Sequence, residues 1–352
     1  MANVWQKKQL DIDILELLFD YYSLRGKTIA DLMPHEKRQK IYDRLYALAG
    51  NNKKGLGLIG VEKFTGMNLY HDQVSNRTRG LRLGSMYYLT PGGAEAYYEN
   101  KFNKPLPGDM YFKKPTPEAL YACYQNSLLL ENIDISFGSR RQFKEDNKMF
   151  RNYIVDIVHG DWQIIHARGM SEGYKTILSQ QSVQARNSNI NHRLILCRNN
   201  RHMLQLMKHH IESTSPQTYF IVNTEYEEIK TFLTTDPEEA MLRTISKYSR
   251  VNQPITPVGY KYIIDNVPSN IYPLTGNPVR TIRRLQSMRS PSIQGIIGFT
   301  SSEQEEFYNA HFAKNIEGYS VVQIDMTQPP EDREPVEIKY EDRYKEWVVA
   351  DI

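Results

Sequence analysis

The first hundred residues carry an apolar periodicity that a small helical module closed by a hairpin would satisfy. Leu10, Ile14, Leu17, Leu18 and Tyr21 recur at helical spacing, and Ile12, Leu15, Phe19 and Tyr22 widen the stripe. A first helix is expected over residues 8–24, stopping at Gly26. Thr28 stands where an N-cap would start a short helix over 29–33, which Pro34 breaks. A third helix over 35–49 turns Ile41, Leu45 and Leu48 inward and ends at Gly50-Asn51-Asn52. Residues 56–68 read as a strand, 71–79 as a polar loop and 81–89 as a second strand. Thr90-Pro91 then opens another helix, continued over 94–102.

Helix, helix, helix, hairpin, helix is the order of a winged helix-turn-helix, in which the third helix reads DNA. Lys37, Lys40 and Arg44 share one side of that helix, with Arg38 beside them. At about 100° per residue they flank the apolar stripe, while Gln39, Asp43 and Tyr46 face directly away from it. The expectation is that Lys37, Arg38, Lys40 and Arg44 touch phosphates and that Gln39 reaches a base edge. Lys53 and Lys54 would add backbone contacts. Arg77, Arg79 and Arg82, in and beside the loop between the strands, would sit at a wing tip entering the minor groove.

The segment GSMYYLTPGGAEAYY, beginning at Gly84, resembles the end of a winged helix, where a wing strand runs into an "LTPxG" helix start. Together with an α/β region after a proline-rich segment, it is similar to the replication-relaxation family of plasmids and integrative elements. The resemblance implies an N-terminal winged helix, a degenerate nuclease-like domain, and a role in replication control or DNA mobilisation. It covers the first hundred residues, and the next hundred and fifty only in order of elements.

Pro105, Pro107, Pro115 and Pro117 read as a linker over 105–118, separating a DNA-binding domain at 1–104 from an α/β domain at 119–250. Helices are expected over 119–130, 171–184, 200–211 and 237–248. Strands are expected over 153–158, 162–167, 193–197 and 219–223, with a hairpin turn at Gly160-Asp161. The fold class is thus α/β (α+β overall), a winged helix followed by a mixed sheet. Residues 251–352 read as an extended arm and C-terminal region with an acidic tail, with strand, helix and strand over 293–324. Arg280, Arg283 and Arg284 fall at helical spacing around Ile282 and Leu285, as a second phosphate-binding element or an arm for an acidic surface.

Nuclease chemistry of the restriction type needs an acid on one strand and Glu-x-Lys or Asp-x-Lys on the next. Asp156 or Asp161 could be the first, but Trp162-Gln163-Ile164-Ile165-His166 carries no carboxylate, and Glu172 and Lys175 are wrongly spaced. His202 and His209 share a helix face and His210 adjoins them, without acids at a recognised metal spacing. No Walker motif is present. The reading is non-catalytic, with no cofactor and no metal. The alternatives are a ligand-responsive transcription regulator and a metal-dependent nuclease with an atypical site.

Charge distribution agrees with a DNA partner at the N-terminal end. Residues 1–117 hold 18 Lys and Arg against 12 Asp and Glu, a net +6, whereas residues 325–352 hold 4 against 9. Cys123 and Cys197 form no CxxC, and no run approaches the roughly 20 apolar residues of a membrane span. A cytoplasmic, homo-oligomeric protein is expected, bound to double-stranded DNA and to replication or transfer proteins.

Overall fold

The computed structural model describes residues 8–50, 55–65, 82–108, 112, 114–139, 157–167, 190–209, 217–245, 248–251, 261–276, 278–287, 293–312, 319–326 and 336–338. Their architecture is mixed α/β, with ten helices and three sheets among these residues. The chain divides into two compact units, residues 1–205 with 222–226, and residues 206–221 with 227–352. No described helix is long and apolar enough to cross a membrane.

The first unit begins with α1 (Gln9–Tyr21), β1 (Ser23–Arg25), α2 (Gly26–Asp31) and α3 (Arg38–Leu48). β2 (Ile59–Thr65), β3 (Arg82–Leu89) and α4 (Pro91–Phe102) follow. The strands form an antiparallel sheet in the order β1-β3-β2. Leu10, Ile14, Leu15, Leu18 and Phe19 of α1, Ile29 of α2, and Ile41, Leu45 and Leu48 of α3 share one core with Leu89 and Tyr97. Phe19 and Tyr97 pack with ring centroids 4.8 Å apart.

Two local expectations give way here. The first helix stops at Tyr21, because Tyr22 takes a positive φ of 68° and the next three residues pair with β3. Gly26 therefore starts α2 instead of ending α1, and Thr28 lies inside α2, where its hydroxyl donates to Glu131 at 2.5 Å. The start of α4 follows its sequence signal: Thr90 Oγ1 accepts from the Gly93 N–H at 3.1 Å, and Pro91 fills the first helical position.

The proline-rich segment does not separate the two units. Leu106 and Phe112 pack on the core of the first helices, and α5 (Pro117–Asn132) lies against β1 and α2. Met86 of β3 is buried among Leu120, Tyr121 and Tyr124 of α5. Beyond it, β4 (Ile157–His159) and β5 (Trp162–His166) form the expected hairpin, with Gly160 at a φ of 55° in its turn. β6 (His192–Cys197) joins β5 in parallel. The helix expected over 171–184 lies outside the described residues.

The chain then runs through α6 (Asn200–His209), β7 (Gln217–Val222), α7 (Tyr226–Thr234) and α8 (Pro237–Thr244). It continues with β8 (Tyr248–Val251), β9 (Tyr262–Ile264), β10 (Val267–Pro273), α9 (Val279–Ser287), β11 (Gln294–Phe299), α10 (Ser302–His311), β12 (Tyr319–Gln323) and β13 (Val336–Ile338). Six strands form one sheet in the order β12-β11-β10-β9-β8-β13. β10, β11 and β12 run mutually parallel, and β8, β9 and β10 antiparallel. The strand, helix and strand expected over 293–324 are present. The extended arm is corrected: much of 251–292 is sheet and helix. Asp265 and Asn266 both hold positive φ, 51° and 66°, and join β9 to β10 in a tight hairpin.

Candidate nucleic-acid interface

α3 is held by one face and presents the other. Ile41, Leu45 and Leu48 are fully buried against α1 and α2, so their 3.6-residue spacing fixes the rotation of the helix. Lys37, Arg38, Gln39, Lys40 and Asp43 are then exposed. Two tyrosines join them: Tyr46, at 70% exposure, and Tyr42, at 38%. Large aromatic rings are costly to leave in water without a partner, and these two stand a turn apart on the outward side. Periodicity alone places Tyr46 there. It does not single out Tyr42, which lies to the side of the helix, roughly 90° from the centre of the apolar stripe.

Carboxylates engage most of the cations expected to meet phosphate. Arg38 Nη2 lies 2.5 Å from Asp31 Oδ1, and Lys40 Nζ lies 2.7 Å from Glu36 Oε2. The Gln39 amide donates to Asp43 Oδ1 at 2.8 Å. These pairs are exposed, which makes each worth little and easily exchanged. Lys37, at the N-cap position, has no ion-pair partner among the described residues.

Arg44 differs. Its Nε and Nη2 each lie 2.7 Å from the two oxygens of Asp11, whose side chain is fully buried in α1. This bidentate contact ties α3 to α1 and gives Arg44 a structural task in place of the expected phosphate contact. The sequence carries the signal: Asp11 lies three residues before Ile14 and seven before Leu18, on the apolar face, where a carboxylate needs a cation.

Lys53, Lys54, Arg77 and Arg79 lie outside the described residues, and Arg82 is described only as backbone on β3. In the second unit, Arg280, Arg283 and Arg284 are exposed on α9, whose Val279, Ile282 and Leu285 are buried, as the spacing predicts.

Among the nuclease candidates, Asp161 accepts from the Asn191 side chain at 3.0 Å, next to the β4–β5 turn. Asp156, Glu172, Lys175 and His210 fall outside the described residues, as does the His209 side chain. His202 is buried, with Nδ1 3.4 Å from the Arg198 N–H. No group of three His, Cys, Asp or Glu residues among those described is placed to hold a metal ion. No family model, curated protein or solved structure matches the chain.

Proposed function

We propose that the module from α1 to α4 is a winged helix-turn-helix that binds double-stranded DNA by laying α3 in the major groove. The observation that carries this reading is the outward face of α3, where Lys37, Arg38, Gln39, Lys40, Tyr42 and Tyr46 stand together on a helix anchored from behind. The sheet order β1-β3-β2, with a helix pair between β1 and β2, supports it. Lys37, Arg38 and Lys40 meet phosphates, Gln39 a base edge, and the tyrosines sugar or base surface. Arg44 acts as a positioning residue through Asp11. A homodimer would read two half-sites. The role that follows from the family resemblance is replication control or mobilisation of a plasmid or similar element, with β4, β5 and β6 belonging to a degenerate nuclease-like core.

The test is selection of bound duplexes followed by salt titration. Lys37→Ala with Lys40→Ala should weaken binding equally across sequences and lower the slope of log K against log salt by about 0.9 per phosphate deprived of its cation. Gln39→Ala should instead relax preference at one base pair, by about 1–3 kcal/mol for a bidentate contact. Unchanged affinity in the double-lysine variant would remove α3 from the interface. A ligand-responsive regulator is the second reading, favoured by a cleft in the second unit.

A further inference from the structure

α9 is pinned to the second unit from three directions. Val279, Ile282 and Leu285 are buried beneath it. At one flank the Gln217 amide donates to Thr281 Oγ1 at 3.0 Å, and near its end the Gln286 amide donates to the Phe312 carbonyl at 2.7 Å. These contacts fix the rotation of the helix, and with it the direction in which the remaining residues stand.

Those residues are cationic. Arg280, Arg283 and Arg284 are exposed, and α9 contains no Asp or Glu. Side chains three and four positions apart are neighbours on a helix surface, and like charges at that spacing oppose the helix. An anion lying across all three relieves that repulsion. Arg280 has no ion-pair partner among the described residues. Arg283 and Arg284 keep contacts within the chain while remaining exposed, and contacts of exposed charges exchange readily. On α3, by comparison, Arg38 and Lys40 each already hold an acid.

We infer that the outer face of α9 holds the phosphate backbone of duplex DNA, without regard to sequence, as a surface separate from α3. Charge complementarity selects a polyanion, and guanidinium forks suit phosphate oxygens. The helix narrows the choice further. A single strand is held by stacking its bases on aromatic rings, and α9 has none. A protein partner or an anionic membrane takes apolar anchors together with charge, and the apolar side chains of α9 all face inward. Arg280 and Arg284 stand about 6 Å apart along the axis, so both reach one backbone. The assignment does not rest on the reading of α3.

The experiment is equilibrium binding of the full chain to a short DNA duplex of arbitrary sequence over a series of salt concentrations. Arg280→Gln with Arg284→Gln should weaken binding about tenfold or more at low salt. The same pair should lower the slope of log K against log salt by about 1.8. Arg201→Gln with Lys208→Gln, which removes two exposed charges from α6, should change neither. Arg280→Gln alone should lower the slope by about 0.9, and it keeps the test decisive if the pair fails to fold. Lys37→Ala with Lys40→Ala reports on α3 in the same assay, so either surface can fail without the other. An unchanged slope in the α9 pair, equal weakening in the α6 pair, or tighter binding of polyglutamate than of the duplex would overturn the assignment.

Discussion

Arg44 and Asp11 form the closest tie between α3 and α1, with two parallel hydrogen bonds of 2.7 Å onto a carboxylate sealed from solvent. Removing Arg44 takes the bidentate cation from a carboxylate that is sealed from solvent. Arg44→Ala is therefore expected to cost about 3–5 kcal/mol of unfolding free energy, measured by urea denaturation. Arg44→Lys should also destabilise, since one ammonium does not span both oxygens. Asp11→Asn combined with Arg44→Met should recover part of that stability. A change below about 1 kcal/mol in Arg44→Ala, the size of an exposed pair, would show that the contact is not structural.

Glu131 makes α5 part of the N-terminal module. Its side chain is 2% exposed, and it accepts from Arg25 at 2.8 Å, Lys27 at 3.2 Å and Thr28 at 2.5 Å. A fragment of residues 1–104 exposes Met86 and strips Arg25 of its carboxylate. It should melt well below a fragment of residues 1–139, and Glu131→Ala in the longer fragment should approach the shorter one. Equal melting temperatures would place the domain boundary back at the prolines.

Gly93 and Gly92 should respond in opposite directions to alanine. A Cβ on Gly93 would collide with the Leu58 carbonyl oxygen, whereas one on Gly92 meets nothing within 4 Å. Gly93→Ala forces the start of α4 away from the loop before β2, at a cost of about 1–3 kcal/mol or more. Gly92→Ala should be neutral or stabilising by up to about 1 kcal/mol. Thermal melts of the two variants make the comparison directly.

His166 predicts a pH dependence. Its Nε2 lies 2.8 Å from Asn126 Oδ1, an acceptor, so the neutral ring carries its proton there. Burial pushes its pKa down from 6.5 to about 3. The unfolded chain therefore takes up a proton that the folded one refuses between those values. The stability contributed by the neutral ring is present above about pH 6.5 and is lost as pH falls toward 3, at up to about 1.4 kcal/mol per pH unit. His166→Gln should show a shallower decline over about pH 6.5 to 4 in paired denaturation curves. Parallel curves would mean that the ring titrates normally.

α1 and α3 are legible in the sequence because each buries a stripe of Leu, Ile or Phe with one periodicity, and Thr90-Pro91 marks the start of α4 by local chemistry. β1 is not, since Ser23-Leu24-Arg25 is too short to show alternation and becomes a strand only by pairing with β3. α7 is hidden for a similar reason, as Ile229, Phe232 and Leu233 are too few to establish a period. β9 and β10 are obscured by Pro268, Asn270 and Pro273, residues that disfavour strands locally and are held here by neighbours on either side. On α3, periodicity supplies the outward direction of Gln39 and Tyr46. It cannot supply the partners of the cations, because Arg38 with Asp31 and Arg44 with Asp11 depend on how separate elements approach.

The acids beside Arg38 and Lys40 also set the terms on which α3 meets any polyanion. On the proposed reading each phosphate contact must displace one of these acids, so Arg38 and Lys40 gain less from it than unpaired cations would, while the counterions released from the duplex still set the salt dependence. On that reading attraction at a distance is correspondingly muted. Discrimination between sequences would then fall to uncharged groups, an amide and two phenol rings.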